Sequence, residues 1–126
     1  MLQGEIPVDF IYEDEKTFAI LDHNPVSRGH ALVITKRQID QLDDCDDELY
    51  QAVFSTVRKV SRHLLQRLSP KRIALVVHGT EIPHVHVHVV PLYTEKELNL
   101  ANRSDDTVLD QAVLAELTEQ LKLSAV

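Results

Sequence analysis

The order of elements read along the chain predicts an α+β fold built on an antiparallel sheet. Short strands occur in two groups, a long segment of helical period separates them, and a second helical segment closes the chain. A doubly wound α/β chain alternates strand and helix regularly, and this order does not. At 126 residues the chain has the size of one domain, taken as 1–126, with no internal repeat, low-complexity tract or linker.

Gly4 and Pro7 mark a short lead-in. The first strand expected from pattern is Thr17 to Leu21, and the second is His30 to Thr35. Between them, Asp22-His23-Asn24-Pro25-Val26-Ser27-Arg28-Gly29 is the densest cluster of turn formers in the sequence, which favours a hairpin-like pairing. From Asp43 to Leu68 the period changes. Leu49, Val53, Val57, Val60, Leu64 and Leu68 recur at helical spacing with charges between them, Asp43 or Asp44 is a suitable cap, and Pro70 closes the far end. A third strand, Arg72 to Val77, is apolar enough to leave a hydrophobic edge exposed if nothing pairs with it. A fourth, His84 to Val90, is ended by Pro91. Thr94 to Asp106 is polar and without periodicity. The helical pattern then returns from Thr107 to Leu123 through Val108, Leu109, Val113, Leu114, Leu117 and Leu121.

Composition narrows the function classes. With 44% hydrophobic and 26% charged residues the chain can bury a core. Thirteen Lys and Arg against twenty Asp and Glu give a net charge of -7, which removes the nonspecific attraction to phosphate backbones and disfavours nucleic-acid coating and membrane-surface binding. One cysteine, Cys45, cannot form an internal disulfide or a multi-cysteine zinc site, and no apolar run reaches membrane-span length or follows signal-peptide grammar, so a cytoplasmic setting is expected.

The chemistry gathers in His84-Val85-His86-Val87-His88-Val89-Val90, which holds three of the seven histidines. Residues two apart on a strand share a face, so the imidazoles form a row while Val85, Val87 and Val89 face the other way. Imidazole titrates near 6.5, and a row of three supplies a nucleophile, a proton donor and a hydrogen-bonding cation near neutrality. A purely structural row carries a like-charge liability, because each ring opposes its neighbours' protonation and pushes at least one titration below the reference. His63, alone on the long helix, reads as a packing residue. The rival reading of the row is a transition-metal site, since His-x-His pairs bind zinc and copper, but a fourth ligand is hard to supply from Cys45.

The row resembles the signature of the histidine triad nucleotide-binding family. Further blocks match in the same order: Gly4-Glu5-Ile6-Pro7, Tyr12-Glu13-Asp14, Ala19-Ile20-Leu21-Asp22-His23-Asn24-Pro25 and Gly29-His30-Ala31-Leu32-Val33-Ile34. The resemblance spans roughly residues 4 to 92. It implies a five-stranded antiparallel sheet with a long helix and a C-terminal helix, continued across a homodimer, and a purine nucleoside monophosphate moiety bound on the histidine face. It implies a hydrolase or nucleotidyl transferase acting at the α-phosphorus of nucleoside phosphoramidates, dinucleoside polyphosphates or related nucleotidyl esters. His86 takes the nucleophile's position, His88 a position against phosphate and leaving group, and His84, with His30 near it, an orienting one. Asp22 matches a ribose-binding acid, while Ile6, Ile20 and His23 match positions flanking the base. No metal or other cofactor is required by such a mechanism. The alternative class is a nucleotide-binding regulatory module with incidental catalysis.

Departures are local. The lead into the row, Val77-His78-Gly79-Thr80-Glu81-Ile82-Pro83, is shorter than the family's glycine-rich loop, with His78 where Asn is frequent and a carboxylate at Glu81. His78 and Thr80 remain candidates for nucleotide contact. Thr35-Lys36-Arg37-Gln38 replaces the common Pro-Lys-x-His, and the N-terminal cysteine pair of zinc-carrying relatives is absent, which argues against a structural zinc.

Overall fold

The computed structural model describes residues 9–78, 83–94 and 108–123. Ile6, Thr80, Glu81, the lead-in Gly4 to Pro7 and residues 95–107, most of the polar stretch, lie outside them. Strands β1 (Phe10–Glu13), β2 (Thr17–Leu21) and β3 (Ala31–Thr35) are followed by a 3₁₀ turn (Leu42–Asp44), helix α1 (Asp47–Leu68), β4 (Arg72–Val76), β5 (His86–Leu92) and helix α2 (Gln111–Leu121). The sheet order is β1-β2-β3-β5-β4 and every pairing is antiparallel, which is the expected α+β architecture with two helices. Among the described residues no helix is long and apolar enough to cross a membrane.

Register separates two faces. Leu32 stands opposite His88, Ile34 opposite His86, Ile20 opposite Leu32 and Phe18 opposite Ile34, so these side chains share one face. Ala19, Leu21, Ala31, Val33, Val87 and Val89 share the other and pack with Val53, Val57, Val60 and Leu64 of α1. A fully buried Val or Leu contributes about 1.5–3 kcal/mol, so this stripe alone is enough to fix α1 to the sheet. Val85, Val87 and Val89 are all buried, as the alternation required.

Several boundaries differ from expectation for local reasons. Helix α1 begins at Asp47, because Asp46 rather than Asp43 or Asp44 accepts the Leu49 N–H at 2.8 Å. It ends in left-handed Ser69 (φ 52°), one residue before Pro70. Helix α2 occupies a shorter span than Thr107 to Leu123, starting after the Asp110 cap. Strand β1 was not signalled by alternation. Its pairing with β2 shifts register between Phe10 and Tyr12, so Ile11 and Tyr12 both enter the helix-side core while Phe10 packs on Phe18 across the sheet.

Strand β5 starts at His86, not His84, and runs through Pro91 to Leu92. The Leu92 carbonyl accepts from Lys71 on the β4 side, whereas the Pro91 carbonyl accepts from the Ser27 hydroxyl. Backbone groups alternate sides along a strand, so the missing Pro91 N–H faces the β2–β3 turn, beyond the last β3 pair, and costs no ladder bond. Gly29 in that turn has φ +89°, and a Cβ there would lie 2.4 Å from Leu68 Cδ1.

Candidate functional site

Strand β5 lies between β3 and β4, so its histidines stand over the middle of the sheet and not at its rim. His84, His86 and His88 are all buried, at 4%, 7% and 3% exposure. Each is held by a different partner, and these partners determine where the ring protons sit.

His84 precedes the strand, and its Nε2 lies 2.7 Å from the Thr35 carbonyl and 3.2 Å from the Thr35 hydroxyl. A carbonyl only accepts, so Nε2 carries the proton and Nδ1, buried with no hydrogen-bond partner among the described residues, keeps its lone pair. His86 places Nδ1 2.9 Å from the His84 carbonyl. By the same rule Nδ1 donates, and the lone pair of His86 resides on Nε2. The row is thus ordered in sequence: the ring of His84 is tied to β3, and its backbone oxygen aims the ring of His86.

His88 is governed from elsewhere. Its Nδ1 lies 2.9 Å from His30 Nε2, while His30 Nδ1 lies 3.0 Å from the backbone N–H of Val26. The amide can only donate, so His30 Nδ1 accepts, the His30 proton is on Nε2, His88 Nδ1 accepts in turn, and the His88 proton is on Nε2. That nitrogen is buried with no hydrogen-bond partner among the described residues. Protonating Nδ1 of His88 would set two donors against each other. Burial first, then the neighbouring His30 and His86, hold its titration down from 6.5 to about 3 against an opposing pull from Asp22, the depression expected of adjacent imidazoles.

His30 therefore meets His88, not His84 as expected. The reason is register: Ala31 pairs with Val89 and Ile34 with His86, so His30 and His84 stand at opposite ends of the β3–β5 ladder. Asp22, at the end of β2, is 6% exposed. One carboxylate oxygen accepts the Asn24 N–H at 2.9 Å, and the other lies 3.6 Å from His30 Nε2. His23 is mostly exposed and lies near the same carboxylate. Ile20 is buried with Phe18, Leu32 and Ile34 on the histidine face. His78, just past β4, stacks on His88 with ring centroids 5.1 Å apart and planes 8° from parallel, which brings it to the row.

Asp22, His30 and His88 are the described side chains whose ligand atoms lie close enough to share a metal ion, all within 4.8 Å, and Cys45 is not among them. The arrangement does not suit a cation. Ligation through His30 Nε2 needs the proton moved to Nδ1, where the Val26 N–H already points. Cys45 ends the 3₁₀ turn, where burial and the flanking Asp46 and Asp44 raise its thiol titration and keep it from thiolate character.

A cavity of about 600 Å³ opens between the β2–β3 turn and α2. Asp22 and His30 are in its wall together with Arg28, Leu109, Val113 and Leu117, and the three histidines of the row are not. The sequence reading missed two contributors to the site: Thr35, which ties down His84, and the Val26 amide. A backbone donor has no residue signature, and Thr35 reads as an ordinary strand residue.

The HIT domain model matches residues 3–95. An uncharacterised HIT-like protein of Methanocaldococcus jannaschii is 36% identical over 99 residues, covering 74% of this chain and 75% of its own. The adenosine 5'-monophosphoramidase of Schizosaccharomyces pombe is 29% identical over 101 residues, covering 76% of this chain and 73% of its own. Among solved structures, a hypothetical histidine triad nucleotide-binding protein of Sulfolobus tokodaii superposes with a TM-score of 0.78 at 26% identity, covering 94% of this chain and 83% of that one.

Proposed function

The chain belongs to the HIT domain family, and from that premise we propose that it is a nucleotidyl hydrolase or transferase that works through His86 on nucleoside phosphoramidates, dinucleoside polyphosphates or related nucleotidyl esters. The observation that carries this reading is the proton order of the row. His86 has its lone pair on Nε2, and His88 has its N–H on Nε2 with no hydrogen-bond partner among the described residues. A nucleophile beside an uncommitted buried donor suits an electrophile that carries anionic oxygens, which is a phosphoryl group.

In the first step His86 Nε2 attacks the α-phosphorus and forms a P–N bond. The bond to the leaving group breaks, and an amine leaving group takes a proton from solvent. The positive charge on the nucleotidyl-imidazole is eased by its Nδ1–H, still donated to the His84 carbonyl. In the second step water attacks phosphorus, the bond to His86 breaks, and the proton borrowed from solvent is returned. His88, neutral at working pH, donates Nε2–H to a phosphoryl oxygen throughout. Asp22 accepts hydrogen bonds from the ribose hydroxyls, Ile20 and His23 flank a purine base, and His78 contacts the nucleotide beside His88. Similarity to the Schizosaccharomyces phosphoramidase favours an amine leaving group.

The sheet of one copy continues across a two-fold axis into a second. Among the described residues strand β4 pairs only with β5, and Leu75 and Val77 at that edge are 48% and 44% exposed. The test of function is single turnover of adenosine 5'-phosphoramidate in excess chelator, quenched in alkali and probed for nucleotide on protein. Release of monophosphate with a transient nucleotidyl-His86 is expected. Activity that disappears in chelator and returns with zinc would overturn the metal-free route.

A further inference from the structure

A leaving amine needs a proton as its bond to phosphorus breaks, because the amide anion is too basic to depart by itself. Displacement at phosphorus runs in line, so the leaving nitrogen sits on the side of phosphorus away from His86, and the nucleophile cannot hand it a proton. The buried histidines cannot either. His88 is held neutral, with its titration pushed down to about 3, and a neutral imidazole donates a hydrogen bond without giving up the proton. His84 and His30 are 4% and 1% exposed, and their Nε2 protons are engaged by the Thr35 carbonyl and by His88.

His78 differs from these four in its access to water. It is exposed, two residues beyond Val76, which stands opposite His88 in the β4–β5 ladder. Its ring stacks on His88 at 5.1 Å and lies 6.2 Å from His86, while His86 and His88 are 5.0 Å apart. The three rings form a triangle with the nucleophile, the phosphate donor and a solvent-exposed imidazole at its corners. The Asn frequent at this position in the family can hydrogen-bond a phosphate but cannot carry a proton; an imidazole can do both.

We propose that His78 is the general acid of the first step and the general base of the second, carrying the proton between solvent and the leaving amine. This rests on the transfer reading above. With His78 as imidazolium, His86 Nε2 forms its bond to phosphorus while the P–N bond to the leaving group breaks, and the His78 proton ends on the departing amine. Neutral His78 then accepts a proton from the water that attacks phosphorus, the bond to His86 breaks, and the imidazolium is restored.

The test compares two leaving groups under single turnover, following nucleotide transfer to His86. Adenosine 5'-phosphoropropylamide needs a proton to lose its amine, whereas the p-nitrophenyl ester of adenosine monophosphate loses a phenolate that needs none. In folded His78→Ala, checked by circular dichroism, transfer from the propylamide should fall by about 10²-fold and transfer from the ester by only a few fold. His78→Asn, which keeps a hydrogen-bonding side chain, should lose as much as His78→Ala on the propylamide. Equal losses on both substrates, or a His78→Asn variant as fast as the wild type on the propylamide, would reduce His78 to a phosphate contact and overturn the proposal while the transfer reading stands. A wild type that transfers nucleotide from neither substrate would overturn both.

Discussion

His86 donates its Nδ1–H to the carbonyl oxygen of His84, 2.9 Å away and two residues earlier in the chain. A strand alternates its side chains, so a ring can reach back over the intervening residue to the backbone of the one before it. The contact needs no second side chain, and it leaves the lone pair of His86 on Nε2.

Replacing His86 by Ala should remove the attacking nitrogen and little else. Turnover is expected to fall by at least about 10³-fold with nucleotide affinity changed modestly. The check is alkali-quenched labelling with radioactive phosphoramidate. A covalent nucleotide trapped on the Ala variant would mean that another residue attacks.

Acid should destabilise the fold through His88. Its titration in the folded state lies at about 3, below the 6.5 of the unfolded chain, so on acidification the unfolded state takes up the proton first. The stabilisation is complete above 6.5 and is lost as pH falls from there toward 3, at a limiting slope of about 1.4 kcal/mol per pH unit. Denaturant midpoints at pH 7.5 and pH 5 should fall further for the wild type than for His88→Asn. Equal losses would place the acid sensitivity in other groups.

Asp22→Asn keeps the side-chain shape and weakens acceptance from two hydroxyls. The expected loss in nucleoside monophosphate affinity is about 1–3 kcal/mol. A 2',3'-dideoxy monophosphate should lose a similar amount on the wild type and little more on the variant, by calorimetric titration. Additive affinity losses would show that Asp22 does not touch the ribose.

The exposed β4 edge predicts a dimer. Light scattering at micromolar concentration should give twice the 14.3 kDa chain mass, and Leu75→Lys at the edge should shift the mass toward the monomer. A wild-type monomer at that concentration would exclude sheet continuation as the resting state.

Most of the sheet was legible because its strands alternate or are continuously apolar between turn residues, as in Thr17 to Leu21 and Ala31 to Thr35. Strand β1 was not, because the irregularity between Phe10 and Tyr12 sends two consecutive side chains into one core and destroys the period within four residues. Pro91 misled in the opposite direction: a proline read as a terminator is tolerated where the strand edge beyond β3 asks for no N–H. In the site, the histidine row was visible as spacing, and family resemblance supplied Asp22. The pairing of His30 with His88 was out of reach of spacing, since it depends on the β3–β5 register, and the Val26 amide has no letter of its own in a sequence.

The alternation of His and Val along β5 also bears on how the molecule breathes. Val87 and Val89 anchor this strand in the core, and strands on both sides hold its amides, so β5 belongs to the last unit to open rather than to a mobile flap. Amide deuteration at His86 to Val89 should approach the rate set by global unfolding. Fluctuations that admit or release a ligand must then arise in segments bordering the row, and a mutation that softens the Val face will loosen the histidines with it.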